Sequence, residues 1–188
     1  MKKILCSVFL FCALRFSAQT YYPFATDSAT WTVVEYGYGT IPPQTGTWHY
    51  GMAGDTIFNG LLYSKLYVNQ GSLGSVNPEP VFNLQTATYL GAIREDSTKK
   101  ILFRKWSDTI EILRYDFSLN VGDTFCFNNE PCGIQCHQVA AVDSILINGA
   151  YRRQIHFSYG GQSETWIEGI GSIVGAFEFF WCFTGNIE

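Results

Sequence analysis

The sequence predicts an all-β fold: a single antiparallel domain, either a curved sheet or a partly closed barrel, built of hairpins and a meander. Residues 89–127 read as three strand-like runs and the start of a fourth, separated by polar breaks so short that only antiparallel neighbours fit. Two dipeptides, Asn59-Gly60 and Asn148-Gly149, each stand between apolar runs. They supply the two positive-φ residues of a type I′ hairpin turn. Beyond the first eighteen residues no segment carries a sustained apolar stripe of 3.6-residue period, so helix is expected to be minor.

In chain order, residues 1–18 read as a signal peptide. Lys2 and Lys3 precede an apolar stretch of about eleven residues, 4–14, and Ser17-Ala18 offers a small-residue cleavage site. A membrane span needs about twenty apolar residues, so no membrane insertion is expected after cleavage. Cys6 and Cys12 lie inside the apolar stretch, which leaves no lipoprotein acceptor. The mature chain, 19–188, is expected to form one β-rich domain, exported to the periplasm or beyond the cell. Cleavage removes Lys2, Lys3 and Arg15, leaving nine Lys/Arg against sixteen Asp/Glu. A net charge near −7 without a basic stripe argues against nucleic acid as a partner.

Residues 19–30 read as a loose leader. A strand is expected over 31–36; Pro42 and Pro43 exclude 37–43 from a central strand, and 48–52 is the next candidate. The Asn59-Gly60 hairpin has 61–68 as its second arm, the Asn148-Gly149 hairpin has 150–157, and both arms are expected in the main sheet. The segments around them echo each other: Asp55-Thr-Ile-Phe-Asn-Gly against Asp143-Ser-Ile-Leu-Ile-Asn-Gly. Residues 69–80 form a long loop without periodicity. Within the meander, Leu113, Tyr115, Phe117 and Leu119 are expected on one face, with Arg114, Asp116 and Ser118 on the other. After a cysteine-bearing excursion, 126–137, short strands are expected up to 168, then a glycine-bent stretch, 169–175. The chain closes on an aromatic run containing Phe177, Phe179, Phe180, Trp181 and Phe183.

Cys126, Cys132, Cys136 and Cys182 survive cleavage, and an oxidising compartment makes all four disulfide candidates. Zinc is the rival reading of the crowded Cys132, Cys136 and His137, but zinc sites usually come as two separated knuckles. If all four cysteines are oxidised within one chain, Cys182 must pair with one of the other three. The loop so closed has about fifty residues, worth on the order of 4 kcal/mol in the chain-entropy model.

No catalytic set assembles from local motifs. The glycines at 169, 171 and 175 have neither the spacing nor the βαβ context of a dinucleotide fingerprint. His49, His137 and His156 are scattered, with no G-x-S-x-G elbow beside them. His156 is expected at the surface with Arg152 and Gln154. Asp55, Asp123 and Asp143 are too dispersed for a calcium loop and suit Asx turns at strand starts. Glu164 and Glu168 flank Trp166, a pattern that evokes glycoside hydrolysis. Four residues along a strand is about 13 Å, which exceeds the carboxyl separations of such enzymes, so a surface carboxylate pair is the better reading. Trp166, Glu164 and Glu168 remain contact candidates; no cofactor and no metal is expected.

Asp55-Thr-Ile-Phe-Asn-Gly60, Gly91-Ala-Ile-Arg-Glu-Asp96, Tyr115-Asp-Phe-Ser-Leu-Asn-Val-Gly-Asp-Thr124 and Trp166-Ile-Glu-Gly-Ile-Gly-Ser172 together resemble an uncharacterised β-rich module of exported Bacteroidota proteins. The resemblance covers about residues 30–175. Many such proteins end in a type IX secretion sorting domain; this sequence stops at Glu188 without one. The resemblance implies export and supplies no catalytic residues. The expected function is a secreted, non-enzymatic accessory or binding module whose partner is a protein or a glycan. The alternatives are a hydrolase using Glu164 or Glu168, and a structural fragment of a longer surface protein.

Overall fold

The computed structural model describes residues 20–36, 45–70, 81–129, 133–159, 162–175 and 177. Residues 1–19, Cys132, Cys182, most of the 69–80 loop and the aromatic run apart from Phe177 lie outside them. The described residues contain no helix, and hence none long and apolar enough to cross a membrane. They form two strongly curled antiparallel sheets.

The first sheet takes its six strands in chain order: β1 (Thr30–Tyr36), β2 (Thr45–Phe58), β3 (Leu61–Gln70), β4 (Thr88–Glu95), β5 (Lys100–Lys105) and β6 (Ile112–Asp116). The second runs in reverse order: β11 (Gly171–Ser172), β10 (Gln162–Ile167), β9 (Ala150–Tyr159), β8 (Gly133–Ile147) and β7 (Thr124–Asn129). Both Asn-Gly turns form as expected. Asn59 and Asn148 each have φ 51°, Gly60 and Gly149 each φ 79°, and the arms close at Phe58↔Leu61 and Ile147↔Ala150. The expectation of one main sheet fails, however: β3 belongs to the first sheet and β9 to the second.

The meander is likewise divided, with β4, β5 and β6 in one sheet and β7 in the other. Polar turn chemistry makes the break. Asp116 Oδ1 accepts the Ser118 amide at 2.9 Å and its hydroxyl at 2.5 Å, and Asp123 accepts the Asn120 amide at 2.7 Å. These contacts bend the chain out of the first sheet before a fourth meander strand can pair. A bulge corrects the expected face of the preceding strand. Ile101 faces Tyr115 while Leu102 faces Leu113, so Arg114 is an extra residue and alternation restarts there. Leu113 is therefore exposed, whereas Tyr115 and Phe117 are buried.

The segment 20–29 is not a loose leader. Phe24 is buried among Trp31, Tyr115 and Phe177, at centroid distances of 5.8, 5.9 and 6.3 Å. Its backbone is held from both sheets. Glu95, at the end of β4, accepts the Phe24 amide at 2.8 Å and the Tyr21 hydroxyl. Glu168, just past β10, accepts the Tyr22 amide at 2.8 Å. Lys99 and Arg152 lie over the rings of Tyr21 and Tyr22, at 4.5 and 4.7 Å. A Cβ on Gly169 (φ 78°) would stand 3.0 Å from the Pro23 carbonyl oxygen, so glycine lets the strap approach.

The inner faces of both sheets share one core. Met52, Leu66, Ile93 and Ile101 come from the first, and Phe125, Val139, Ile155, Phe157 and Trp166 from the second. Trp166 sits at its centre, 4.5 Å from Phe157, 4.8 Å from Phe125 and 5.0 Å from Tyr115. Burying one such ring system releases roughly 4–6 kcal/mol of gross transfer free energy.

Candidate functional site

A cavity of about 270 Å³ opens on the inner side of the first sheet, towards its β6 edge. Its floor is apolar: Leu66 from β3, Leu90 from β4, Phe103 from β5 and Ile112 from β6, with Tyr50 and Phe177 closing one side. Leu90 is the extra residue of a bulge between β3 and β4, where Leu66 faces Gly91 and Tyr67 faces Tyr89.

The rim is polar apart from one large ring. Lys105, Asp108 and Arg114 stand there with Trp106, which is 66% exposed. Backbone bonds fix the rim turn: Trp106 N donates to Leu90 O at 3.0 Å and Asp108 N to Lys105 O at 3.1 Å. Arg104 Nε adds a bond to Asp108 O at 2.8 Å. Arg114 donates to the Phe177 carbonyl and so holds the end of the described chain against the cavity. The site is thus an apolar recess with an aromatic lip and charged residues at its mouth, the common form of a ligand or side-chain pocket.

The contact candidates lie elsewhere. Trp166 is 1% exposed, Glu164 4% and Glu168 2%, so the expected surface carboxylate pair is buried. The two carboxylates do not share a strand face, because β10 ends at Ile167 and Glu168 belongs to the following turn. Glu168 is engaged by the Tyr22 amide. Glu164 points to the core side with Trp166 and faces Phe157 across the ladder. Burial pushes its carboxyl up to about 7, against the opposing effect of hydrogen bonds with Ser172 and Trp166, and its Oε1 has no partner. Neither carboxylate lines the cavity.

The histidines are placed separately. His49 and His137 are buried, and burial lowers both pKa values. His156, expected at the surface, is half-buried. Its Nδ1 is 3.0 Å from Thr165 Oγ1 and its Nε2 3.1 Å from Asp143 Oδ1. That order of acid, imidazole and hydroxyl has the form of a nucleophilic triad. The Thr165 side of it is buried, however, and the three residues come from adjacent strands of one sheet face, so it serves as a cross-strand polar ladder. Among the described residues no group of three or more His, Cys, Asp or Glu could hold a metal ion. Cys126 and Cys136 form a disulfide, which removes Cys136 from the zinc reading. It also leaves Cys132, of the four disulfide candidates, for Cys182.

Sequence reasoning missed the cavity because five strands and Phe177 contribute to it, and no local spacing joins them. The one available signal was Trp106 in a polar break, a large ring where turn residues are expected. No family model, no curated protein and no solved structure matches the chain.

Proposed function

We propose that the chain is an exported, non-enzymatic binding module whose contact site is the cavity beneath Trp106, and that its partner is a protein inserting an apolar side chain. The observation that carries this reading is the contrast between floor and rim. Leu66, Leu90, Phe103 and Ile112 offer nothing to hydrogen-bond, so a sugar seated there would bury hydroxyls without partners. An aliphatic or aromatic side chain loses nothing on entry, and Lys105 and Asp108 are placed to meet the polar backbone around it. Export is supported by the signal-like first eighteen residues, by the Cys126–Cys136 bridge and by the resemblance to exported β-rich modules.

One observation favours the hydrolase alternative: a buried Glu164 whose carboxyl sits at about 7 has the proton affinity of a general acid or base. Against it, Glu168 is committed to the Tyr22 amide, and neither group faces the cavity.

The test is selection of displayed peptides on the mature protein. Selected peptides are expected to share an aromatic or aliphatic anchor and to lose at least tenfold in affinity on Trp106→Ala. They should be indifferent to Tyr151→Ala, an exposed ring on the other sheet. Binding to glycans alone, or peptide binding unchanged by Trp106→Ala, overturns the reading.

A further inference from the structure

The Cys126–Cys136 bridge occupies an unusual place for a structural disulfide. β7 is the edge strand of the second sheet, and its pairing partner is β8. Across from it, β8 pairs with β9 only from Val139 onward. Among the described residues, therefore, 124–129 and 133–138 form a two-stranded ribbon projecting from the sheet. Such a ribbon is marginally stable in water without additional support. Its inner face carries Phe125, opposite His137, and Phe127, opposite Gln135; the two rings pack on Phe157 and Trp166. Its outer face carries the bridge, at the directly opposed pair Cys126↔Cys136, and both residues are exposed.

We infer that this bridge is a thiol–disulfide exchange site, a latch on the ribbon that a dithiol oxidoreductase of the exported compartment can open while the rest of the fold stays intact. Exposure supplies the access that a buried structural bridge denies to an attacking thiolate. The partner's first thiolate attacks one Sγ, the Cys126–Cys136 bond breaks, and the other cysteine leaves as a thiolate and takes up a proton. The partner's second thiol then attacks the mixed disulfide and releases the remaining cysteine. Two electrons pass to the bridge and the partner dithiol becomes a disulfide. Once open, the ribbon keeps its base through Phe125 and Val139, both buried, and loosens towards Phe127 and Gln135.

The test uses the mature protein at pH 7.5 with dithiothreitol and no denaturant. Free thiols are first blocked with one isotopic form of N-ethylmaleimide, and newly released thiols are labelled with a second. Cys126 and Cys136 are expected to carry the second label. Amide exchange within 124–138 is expected to rise at least tenfold, with 88–105 unchanged. Release of the two cysteines only in denaturant, or no change in ribbon exchange, overturns the proposal. The double variant Cys126→Ser/Cys136→Ser should reproduce the ribbon-limited change. Loss of protection along the whole chain in that variant would mark the bridge as a global staple and also overturn it.

Discussion

Trp166, in a strand of the second sheet, and Trp106, in a turn of the first, meet opposite fates: one is 1% exposed, the other 66%. Trp166 is ringed by Tyr115, Phe117, Phe125, Phe127 and Phe157, drawn from several strands and the turn between the sheets. Trp106 stands on a turn at the rim of a cavity, its backbone fixed and its ring in solvent. The same side chain is core in one place and contact surface in the other. The difference lies in whether a second layer closes over it, which strand propensity does not decide.

The sharpest way to break that comparison is to delete each ring in turn. Trp166→Ala is expected to cost about 3–5 kcal/mol, because its neighbours cannot collapse into so large a space. Trp106→Ala is expected to lie within about 0.5 kcal/mol of the unmutated protein while lowering peptide affinity at least tenfold. Urea denaturation at 25 °C measures both; similar stability losses would erase the distinction between core and site.

A second contrast is between buried acids and buried imidazoles. Glu164 has its carboxyl raised to about 7 from an ordinary 4.5, so the folded chain keeps a proton that the unfolded chain gives up. Its contribution to stability is fully present below pH 4.5 and is lost as pH rises towards 7. Fully expressed, it is worth on the order of 3 kcal/mol. His49 and His137 act in the opposite sense. Their pKa values are lowered from 6.5, so their contribution is lost as pH falls below that value. Glu164→Gln should therefore leave stability rising with pH between 5 and 7, the histidine slope alone. The unmutated protein is expected to be flatter there; identical pH profiles would show that Glu164 does not hold its proton in the fold.

The strap offers a third comparison, since Glu95 reaches it from the first sheet and Glu168 from the second. Removing either acceptor leaves a backbone amide without its partner, so Glu95→Ala and Glu168→Ala should each cost about 1–3 kcal/mol. If the strap detaches as a unit, the double variant costs less than the sum of the two. Full additivity would mean that the two sheets hold it independently.

How much of this was legible follows from the range of the interactions. The Asn-Gly turns were readable because their chemistry lies within two residues. The Asx turns expected at Asp55, Asp123 and Asp143 are not what these carboxylates make: Asp123 reaches back to the Asn120 amide, while Asp55 and Asp143, within β2 and β8, meet the Ser64 hydroxyl and His156 Nε2 across the strands. The division of the meander was not readable, because three strands in a row say nothing about which sheet receives the fourth. The strap has no periodicity at all; its order comes from Phe24 entering a core built by residues up to 153 positions away, at Phe177. The burial of Glu164 and Glu168 was hidden by the same cause, since the groups covering them come from the other end of the chain and from neighbouring strands. The Arg114 bulge inverted a face that the sequence pattern had presented as regular.

The smallest expected effect tests whether the two echoing hairpins are equivalent. Asn59 and Asn148 have the same φ of 51°, both are exposed, and a Cβ on the following glycine would meet nothing within 4 Å in either turn. Alanine at the first position would have to hold a left-handed conformation that asparagine tolerates better, at a cost of about 1 kcal/mol. With the glycine of each turn facing open space, Asn59→Ala and Asn148→Ala should destabilise by the same amount to within about 0.5 kcal/mol. Asn→Gly at each position should recover most of the loss, since glycine meets no steric objection there. Urea midpoints of the four variants decide it. A difference of more than about 1 kcal/mol between the two alanine variants would mean that one turn is held by more than its own backbone, and that the likeness of the hairpins ends with their local chemistry.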